Sequence, residues 1–187
     1  MTNLVAALRA VVDVLEEANT PYLIVGSVAA AAWGVARSTR DVDIVAVLSE
    51  HDVDVLITRL GEDFYVPEEH ARRVAAAAGG SFNVLHTSSG GKVDVFVARS
   101  DDEFTRSRLA RRIRSDVLGV ATWVATAEDV VLAKLRWRID TRSEVQWRDC
   151  VEIVASNPLD RSYLRAWAEK IGVVDDLNDL VRSVDRS

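Results

Sequence analysis

Residues 22–48 decide the fold, and they read YLIVGSVAAAAWGVARSTRDVDIVAVL. The segment opens with a short apolar run that is typical of a buried strand. Gly26 and Ser27 follow at once, and the alanine-rich stretch after them predicts a helix with Ser27 as its N-cap. A polar connection over residues 37–40 then leads to a second strand, whose first residues alternate between polar and apolar. The segment therefore predicts a strand–helix–strand unit.

Two aspartates, Asp41 and Asp43, lie at the start of this second strand. Residues two apart on a strand point to the same face, about 6.5 Å apart along the chain. Adjacent carboxylates repel each other unless a cation lies between them, and carboxylate oxygen is the ligand that magnesium prefers. Taken alone, an Asp-x-Asp pair is more often a solvated turn or strand edge.

A third acid, Asp94, lies in the alternating run KVDVF. Residues 81–86 and 92–98 are predicted to be two strands of a hairpin, joined by a loop with two glycines. If the second of these strands lies beside the strand of Asp41 and Asp43, Asp94 joins the same face. Three carboxylates can hold two metal ions, which clamp the attacking and leaving oxygens of a phosphoryl displacement. Alone, Asp94 would more often be a surface residue.

The Gly26–Ser27 pair suggests a phosphate site at the junction of strand and helix. Glycine lets the backbone come close to a ligand, and the N-terminus of a helix presents free N–H groups to phosphate. A Gly-Ser pair after a strand is also ordinary turn chemistry. The combination of this pair with the acids that follow it is what favours a triphosphate cradle beside a metal site.

The remaining pattern divides the chain into an α/β part and a helical part. Strands and helices are predicted to mix over residues 1–125, and only helices follow over residues 126–187, packed on the core. The first helical segment begins at Thr126, where the sequence TAED resembles a capping box with Asp in place of Glu. Further predicted elements are helices over 4–15, 51–60, 68–78, 126–139, 143–155, 160–171 and 175–184, a last strand over 120–124, and a charged helix or long loop over 101–114.

Composition excludes several classes of protein. The 187 residues fit one globular domain or a domain with a compact extension, and the net charge of −6 argues against binding nucleic acid through the overall field. A single cysteine, Cys150, excludes an intramolecular disulfide and fits a reducing cytosol, so a cytoplasmic location is expected. No secretory signal, membrane span or P-loop motif is predicted. The three histidines lack the spacing of a zinc site.

Residues 25–44 resemble the signature of the polymerase-beta-type nucleotidyltransferase superfamily. In that pattern a Gly-Gly or Gly-Ser is followed by a helix, an Arg-x-Thr-like stretch and then Asp-x-Asp. More narrowly, the chain looks like the AbiEii/MenT-like branch, whose members include toxins of toxin–antitoxin pairs. The resemblance implies a nucleotidyltransferase-like mixed sheet flanked by helices, and a magnesium-dependent enzyme that transfers NMP from an NTP to an acceptor.

The resemblance also assigns roles to residues of this chain. Asp41, Asp43 and Asp94 would bind magnesium as the catalytic carboxylates. A helix with Glu and then Lys, followed by one with a basic-Asp pair, also resembles this branch, and it adds two further catalytic residues. Lys134 would contact the triphosphate, and Asp149 would position or activate the acceptor. The nucleotide would be bound by Gly26, Ser27, Arg40 and Lys134.

Other interpretations of these residues stay open in the sequence. Lys134 stands among apolar residues and could be a surface lysine with a buried stem. Asp149 could form a surface ion pair with a neighbouring arginine. The arginine run over residues 106–114 could hold an RNA acceptor such as tRNA, although a solvated helix face balanced by nearby acids is favoured.

Three functions compete on this evidence. The first is an active nucleotidyltransferase acting on RNA, protein or a small molecule, with a cognate antitoxin protein as a possible partner. The second is a non-catalytic partner-binding protein on the same fold, against which the three acids speak. The third is an RNA-binding module that works through the arginine run.

Overall fold

The computed structural model describes residues 2–36 and 39–185. Its central element is a mixed sheet, which within these residues has seven strands in the order β3-β4-β5-β2-β1-β7-β6. The strands are β1 (Tyr22–Val25), β2 (Asp41–Ala46), β3 (Phe64–Tyr65), β4 (Ser81–His86), β5 (Lys92–Val97), β6 (Ile113–Val117) and β7 (Val120–Val124).

Helices surround this sheet. In the described part of the chain they are α1 (Thr2–Glu17), α2 (Gly26–Ala32), α3 (Glu50–Leu60), α4 (Glu68–Ala76), α5 (Glu103–Arg111), α6 (Ala127–Thr141), α7 (Glu144–Ser156), α8 (Arg161–Ile171) and α9 (Val174–Val184), and a 3-10 turn spans Gly61–Asp63. The mixed sheet flanked by helices confirms the predicted fold class. None of the described helices is long and apolar enough to cross a membrane.

The centre of the sheet is apolar and buried. Residues that alternate with the acids of β2, such as Val42 and Ile44, are fully buried, as are Val93 and Leu23 on the adjacent strands. Helix α1 packs against β2, β4, β5 and β7. Burial of apolar side chains on alternate positions therefore fixes the register that places polar positions of β2 and β5 beside each other.

The helices after Thr126 pack against the α/β part. Helix α6 contacts α2, and the Trp33 Nε1 donates to the Ala125 carbonyl oxygen at 2.9 Å. The Asn157 Nδ2, at the end of α7, donates to the Trp33 carbonyl oxygen at 2.9 Å. Thr126 is the N-cap of α6 as predicted, since its side chain accepts from the Asp129 amide. The capping box is formed only in part, because the Asp129 carboxylate accepts from the Thr126 hydroxyl. The division into residues 1–125 and 126–187 remains a prediction.

Two short strands and one cap differ from the predictions. Helix α5 lies within the segment 101–114 that was predicted to be a helix or loop, but strand β6 begins at the end of that segment and was not predicted. Pairing with β7 forms β6, although most of its residues are exposed. Strand β3 has two residues, too few for a periodic pattern. The predicted N-cap Ser27 is wrong: α2 begins at Gly26 with Val25 as its cap, because the positive φ of Gly26 makes the turn one residue earlier.

Candidate active site

Asp41, Asp43 and Asp94 lie together on two adjacent parallel strands. Strand β2 pairs with β5 in a register that sets Asp43 beside Asp94 and Asp41 beside Lys92. Asp41 is held at the strand start by the Thr39 hydroxyl, whose Oγ1 lies 3.0 Å from the Asp41 carbonyl oxygen and 3.2 Å from Oδ1. The expectation that the strand of Asp94 neighbours that of the acid pair is therefore confirmed.

The three carboxylates perturb one another electrostatically. Burial is the largest cause that raises the pKa of Asp43 to about 6; the charges of Asp41 and Asp94 act in the same direction, while Lys92 and Lys134 oppose the shift. Burial and the repulsion from the neighbouring carboxylates both disfavour the ionised form of Asp43. The site therefore gains from added positive charge.

Lys92 supplies part of that charge. Its Nζ lies 2.7 Å from Asp94 Oδ2 and 3.3 Å from Asp41 Oδ2. It stands two residues before Asp94 on β5 and so shares its face. The contacts with both acids raise the pKa of Lys92, with the Asp94 hydrogen bond as the largest cause. Sequence reasoning missed this residue, although its spacing from Asp94 was a signal.

The donor atoms suit magnesium in kind. Asp94 Oδ1 is buried and has no hydrogen-bond partner among the described residues. A buried anionic oxygen left unpaired is costly, and a divalent cation would satisfy it. As placed, however, no three acid, histidine or cysteine side chains within residues 2–36 and 39–185 converge to hold an ion. In the present arrangement, Asp41 and Asp94 instead form ion pairs with the Lys92 ammonium.

Gly26 lies directly against Asp43. A Cβ built on Gly26 would stand 2.0 Å from Asp43 Oδ2, and the glycine has a φ of +65°. Both the close approach and the left-handed backbone require glycine here. The strand pairing explains the contact, since Val25 pairs with Asp43 and Gly26 follows directly. The predicted phosphate loop and the predicted metal ligand are thus in contact.

The predicted nucleotide-binding residues line two cavities. Ser27 and Arg40 line a cavity of about 630 Å³ together with the β4–β5 loop. Gly26, Asp43 and Lys134 line a second cavity of about 310 Å³. Residues 37 and 38 of the predicted polar connection lie outside the described residues.

Lys134 and Asp149 form a buried ion pair between α6 and α7. Lys134 Nζ lies 2.7 Å from Asp149 Oδ2 and 2.7 Å from Gln146 Oε1, and the two charged side chains are 4% and 5% exposed. The alternatives of a surface lysine and of a surface ion pair are therefore wrong, because tertiary packing buries both groups. The same lysine lines the cavity that reaches Asp43, whereas Asp149 stands behind it.

Three further residues line the smaller cavity and were not assigned to a nucleotide site from the sequence. Arg108 and Gln146 contribute polar groups, and Trp137 lies at the opening with 59% of its surface exposed. The Arg108 Nε is buried without a hydrogen-bond partner in the described chain, and burial lowers the pKa of its guanidinium. Nothing in the sequence selects Trp137 among five tryptophans, because its exposure depends on how α6 packs.

The arginine run does not form a single helix face. It begins in α5 and continues into β6, and several of its members have partners within the protein. Arg111 stacks on Tyr163 at 3.8 Å and pairs with Glu128, while Arg112 and Arg114 stack on Trp123. The favoured solvated face is thus replaced by arginines that pack on aromatic rings.

Glu128 contributes to structure at the base of the helical part. Its Oε1 accepts the Asp160 amide at 2.9 Å, and its Oε2 lies 3.2 Å from an Arg111 nitrogen. Glu128 is 9% exposed, and each of its two carboxylate oxygens has a partner. It therefore joins α6 to the start of α8. Its position after the cap residue Thr126 therefore reflects packing of the helices.

The fold is shared with solved structures of nucleotidyltransferases, although no family profile and no curated protein matches the sequence. The antibiotic-resistance factor ANT(2'')-Ia has a TM-score of 0.57 at 14% identity, over 99% of this chain and 96% of that one. A nucleotidyltransferase-like protein from Paracoccidioides brasiliensis gives 0.55 at 18% identity, over 97% and 93%. The lincosamide antibiotic adenylyltransferase LnuA gives 0.53 at 13% identity, over 81% and 97%. The chain therefore has the fold of these nucleotidyltransferase structures.

Proposed function

We propose that the protein is a metal-dependent nucleotidyltransferase that moves NMP from an NTP to an acceptor hydroxyl. The observation that carries this proposal is the β2–β5 register, which sets Asp94 beside Asp43 on one face, with Gly26 in contact with Asp43. Carboxylates beside a glycine-lined phosphate site are what nucleotidyl transfer requires. The shared fold with ANT(2'')-Ia and LnuA supports it.

Asp41, Asp43 and Asp94 would hold two magnesium ions. Such ions neutralise charge on the reacting phosphate and favour loss of the proton from the acceptor hydroxyl. The hydroxyl oxygen forms a bond to the α-phosphorus while its proton passes to solvent, the bond from that phosphorus to the bridging oxygen breaks, and pyrophosphate leaves. The residues of this chain bring the reactants together and fix their orientation.

The phosphates would be bound by Gly26 and Ser27 at the start of α2 and by Arg40 and Lys134. Helix N-termini and fixed cations stabilise phosphate without reorganisation during the reaction. Asp149 holds the Lys134 ammonium at 2.7 Å, which orients it beside the cavity of Asp43. We therefore assign Asp149 to positioning Lys134, in addition to the acceptor role that the resemblance implies.

Two observations suggest different classes of acceptor. One solved neighbour is ANT(2'')-Ia with adenylyl-2''-tobramycin, and LnuA is described with lincomycin, so small hydroxylated molecules are acceptors to test. The resemblance to the AbiEii/MenT-like branch instead favours tRNA or protein, a cytoplasmic toxin role and an antitoxin partner. Acceptors from both groups belong in the assay.

The test is transfer of label from each of the four α-³²P-labelled NTPs with magnesium, in the presence of total tRNA, cell protein or aminoglycoside and lincosamide antibiotics. We expect one combination to give a labelled product with release of pyrophosphate. Asp43→Asn should abolish it, whereas Asp101→Asn, at an exposed acid paired with Arg99, should not. Absence of transfer in all combinations, together with no binding of any NTP, would favour the non-catalytic alternative.

A further inference from the structure

We propose that Lys92 is the built-in counterion of the carboxylate site, which a divalent cation must displace in order to bind. The inference rests on the proposed function, because it takes Asp41, Asp43 and Asp94 as the metal ligands. It adds a residue that controls when the metal enters, and that residue lies outside the motif of glycine and acids.

The position of Lys92 follows from the sheet register. Strand pairing sets Lys92 beside Asp41 on the adjacent strand, and the two-residue period of β5 sets it on the face of Asp94. Its ammonium reaches both acids, at 3.3 Å from Asp41 Oδ2 and 2.7 Å from Asp94 Oδ2. A group that bridges two of three carboxylates occupies the space in which a shared cation would lie.

The other nearby lysine is already engaged. Lys134 contributes to the field at Asp43, but its ammonium is bound to Asp149 and Gln146, each at 2.7 Å. Within the described parts of the chain, Lys92 is therefore the cation in direct contact with the acid cluster. One ammonium offsets one of three negative charges, which leaves a net attraction for a divalent ion.

Competition between Lys92 and the metal has two consequences. Without metal, the lysine reduces the repulsion among the carboxylates and stabilises the folded protein. With metal, the same positive charge opposes binding, so the affinity for a free divalent ion is lower than three carboxylates alone would give. A metal that arrives with a triphosphate brings negative charge for the released ammonium, and this favours joint binding of metal and nucleotide.

The experiment measures Mn²⁺ affinity by electron paramagnetic resonance, without nucleotide, and thermal unfolding in EDTA. Lys92→Met keeps an unbranched side chain only one atom shorter and removes its charge. We expect it to bind Mn²⁺ about tenfold more tightly than the unsubstituted protein and to unfold at a lower temperature in EDTA. Lys170→Met is the matched control, since Lys170 pairs with Glu103 on an exposed surface, and it should leave Mn²⁺ affinity unchanged.

A second variant guards against a folding defect in Lys92→Met. Lys92→Arg keeps the charge, and we expect its Mn²⁺ affinity to equal or fall below that of the unsubstituted protein. Equal or weaker Mn²⁺ binding by Lys92→Met would overturn the inference and leave the proposed transfer activity standing. Tighter binding by Lys92→Met without any transfer would remove the proposed activity but keep the counterion. Absence of Mn²⁺ binding in all variants would overturn the counterion inference, and the transfer and NTP-binding assays would then decide the proposed activity.

Discussion

Gly26 lies so close to Asp43 that any side chain at position 26 would overlap the Asp43 carboxylate. Substitution of Gly26 is therefore the sharpest test of the site at the scale of single residues. In Gly26→Ala the new Cβ would stand 2.0 Å from Asp43 Oδ2. We expect the unfolding free energy to fall by more than about 1 kcal/mol from the left-handed backbone alone, and transfer to be lost because Asp43 is displaced. Urea denaturation and the transfer assay measure the two effects.

A matched control separates backbone strain from displacement of the acid. Gly172 is in the left-handed region, with a φ of 76° and a ψ of 30°, but a Cβ added there would meet no described atom within 4 Å. Gly172→Ala should therefore lose stability from strain and retain full transfer. Equal effects of the two substitutions would show that the Gly26–Asp43 contact has no role.

Asp43 also gives the metal-free protein a specific pH dependence. Its pKa of about 6 in the folded state exceeds the ordinary aspartate value of 3.8. The folded protein therefore binds more protons than the unfolded chain between these values, so the contribution of Asp43 to stability falls as pH rises from about 4 to about 6. In EDTA, Asp43→Asn should leave melting unchanged near pH 4 and raise the melting temperature above about pH 6.5. A variant that melts lower than the unsubstituted protein at about pH 7 would contradict this.

At the scale of elements, the ion pair between α6 and α7 should be strongly coupled. Lys134 and Asp149 are nearly fully buried, so loss of either one removes the opposite charge that lies 2.7 Å from a buried ion. We expect Lys134→Met and Asp149→Leu each to lower the unfolding free energy by about 3 to 5 kcal/mol, and the double variant to lose less than the sum. A double-mutant cycle in urea measures the coupling, and simple additivity would show that the pair is not cooperative.

The elements of the sequence that carry a strong apolar period were predicted well. Strands β1, β2, β4, β5 and β7 match their predicted segments because alternate or continuous apolar residues face the core. Strand β6 lacks that signal, since Arg114, Ser115 and Asp116 interrupt it and its pairing partner lies in the next strand. The local pattern of apolar residues predicts which strands are buried. An exposed edge strand such as β6 instead forms because it pairs with its neighbour, and that pairing leaves no apolar pattern in the sequence.

The sequence predicted the three acids of the candidate site, but it did not predict the residues that surround them. Asp41, Asp43 and Asp94 could be selected because spacing and a family signature point to them. The Lys92 contact with Asp41 depends on the register of two strands that are separated along the chain, and the exposure of Trp137 depends on packing of a helix. Such information appears only when distant segments are placed together.

At the scale of the whole molecule, the predicted domain division can be tested through one thiol. Cys150 in α7 is fully buried, and burial raises its pKa to about 12. We expect its reaction with Ellman's reagent in the folded protein to follow global unfolding, with the free energy obtained from urea denaturation. A markedly faster reaction would mean that helices α6 to α9 open separately from the sheet.

Trp33, at the end of α2, joins this helix to the residue before the helical region, Ala125, and to the end of α7, through Asn157. The short helix α2, which begins at the proposed phosphate site, is therefore hydrogen-bonded through Trp33 to the end of α7. Any protein or ligand that moves α7 away from the sheet must either break the hydrogen bond from Asn157 to Trp33 or tilt α2. We therefore expect a partner bound to the outer surface of α7 to displace α2 as well, and with it the proposed phosphate site at Gly26 and Ser27.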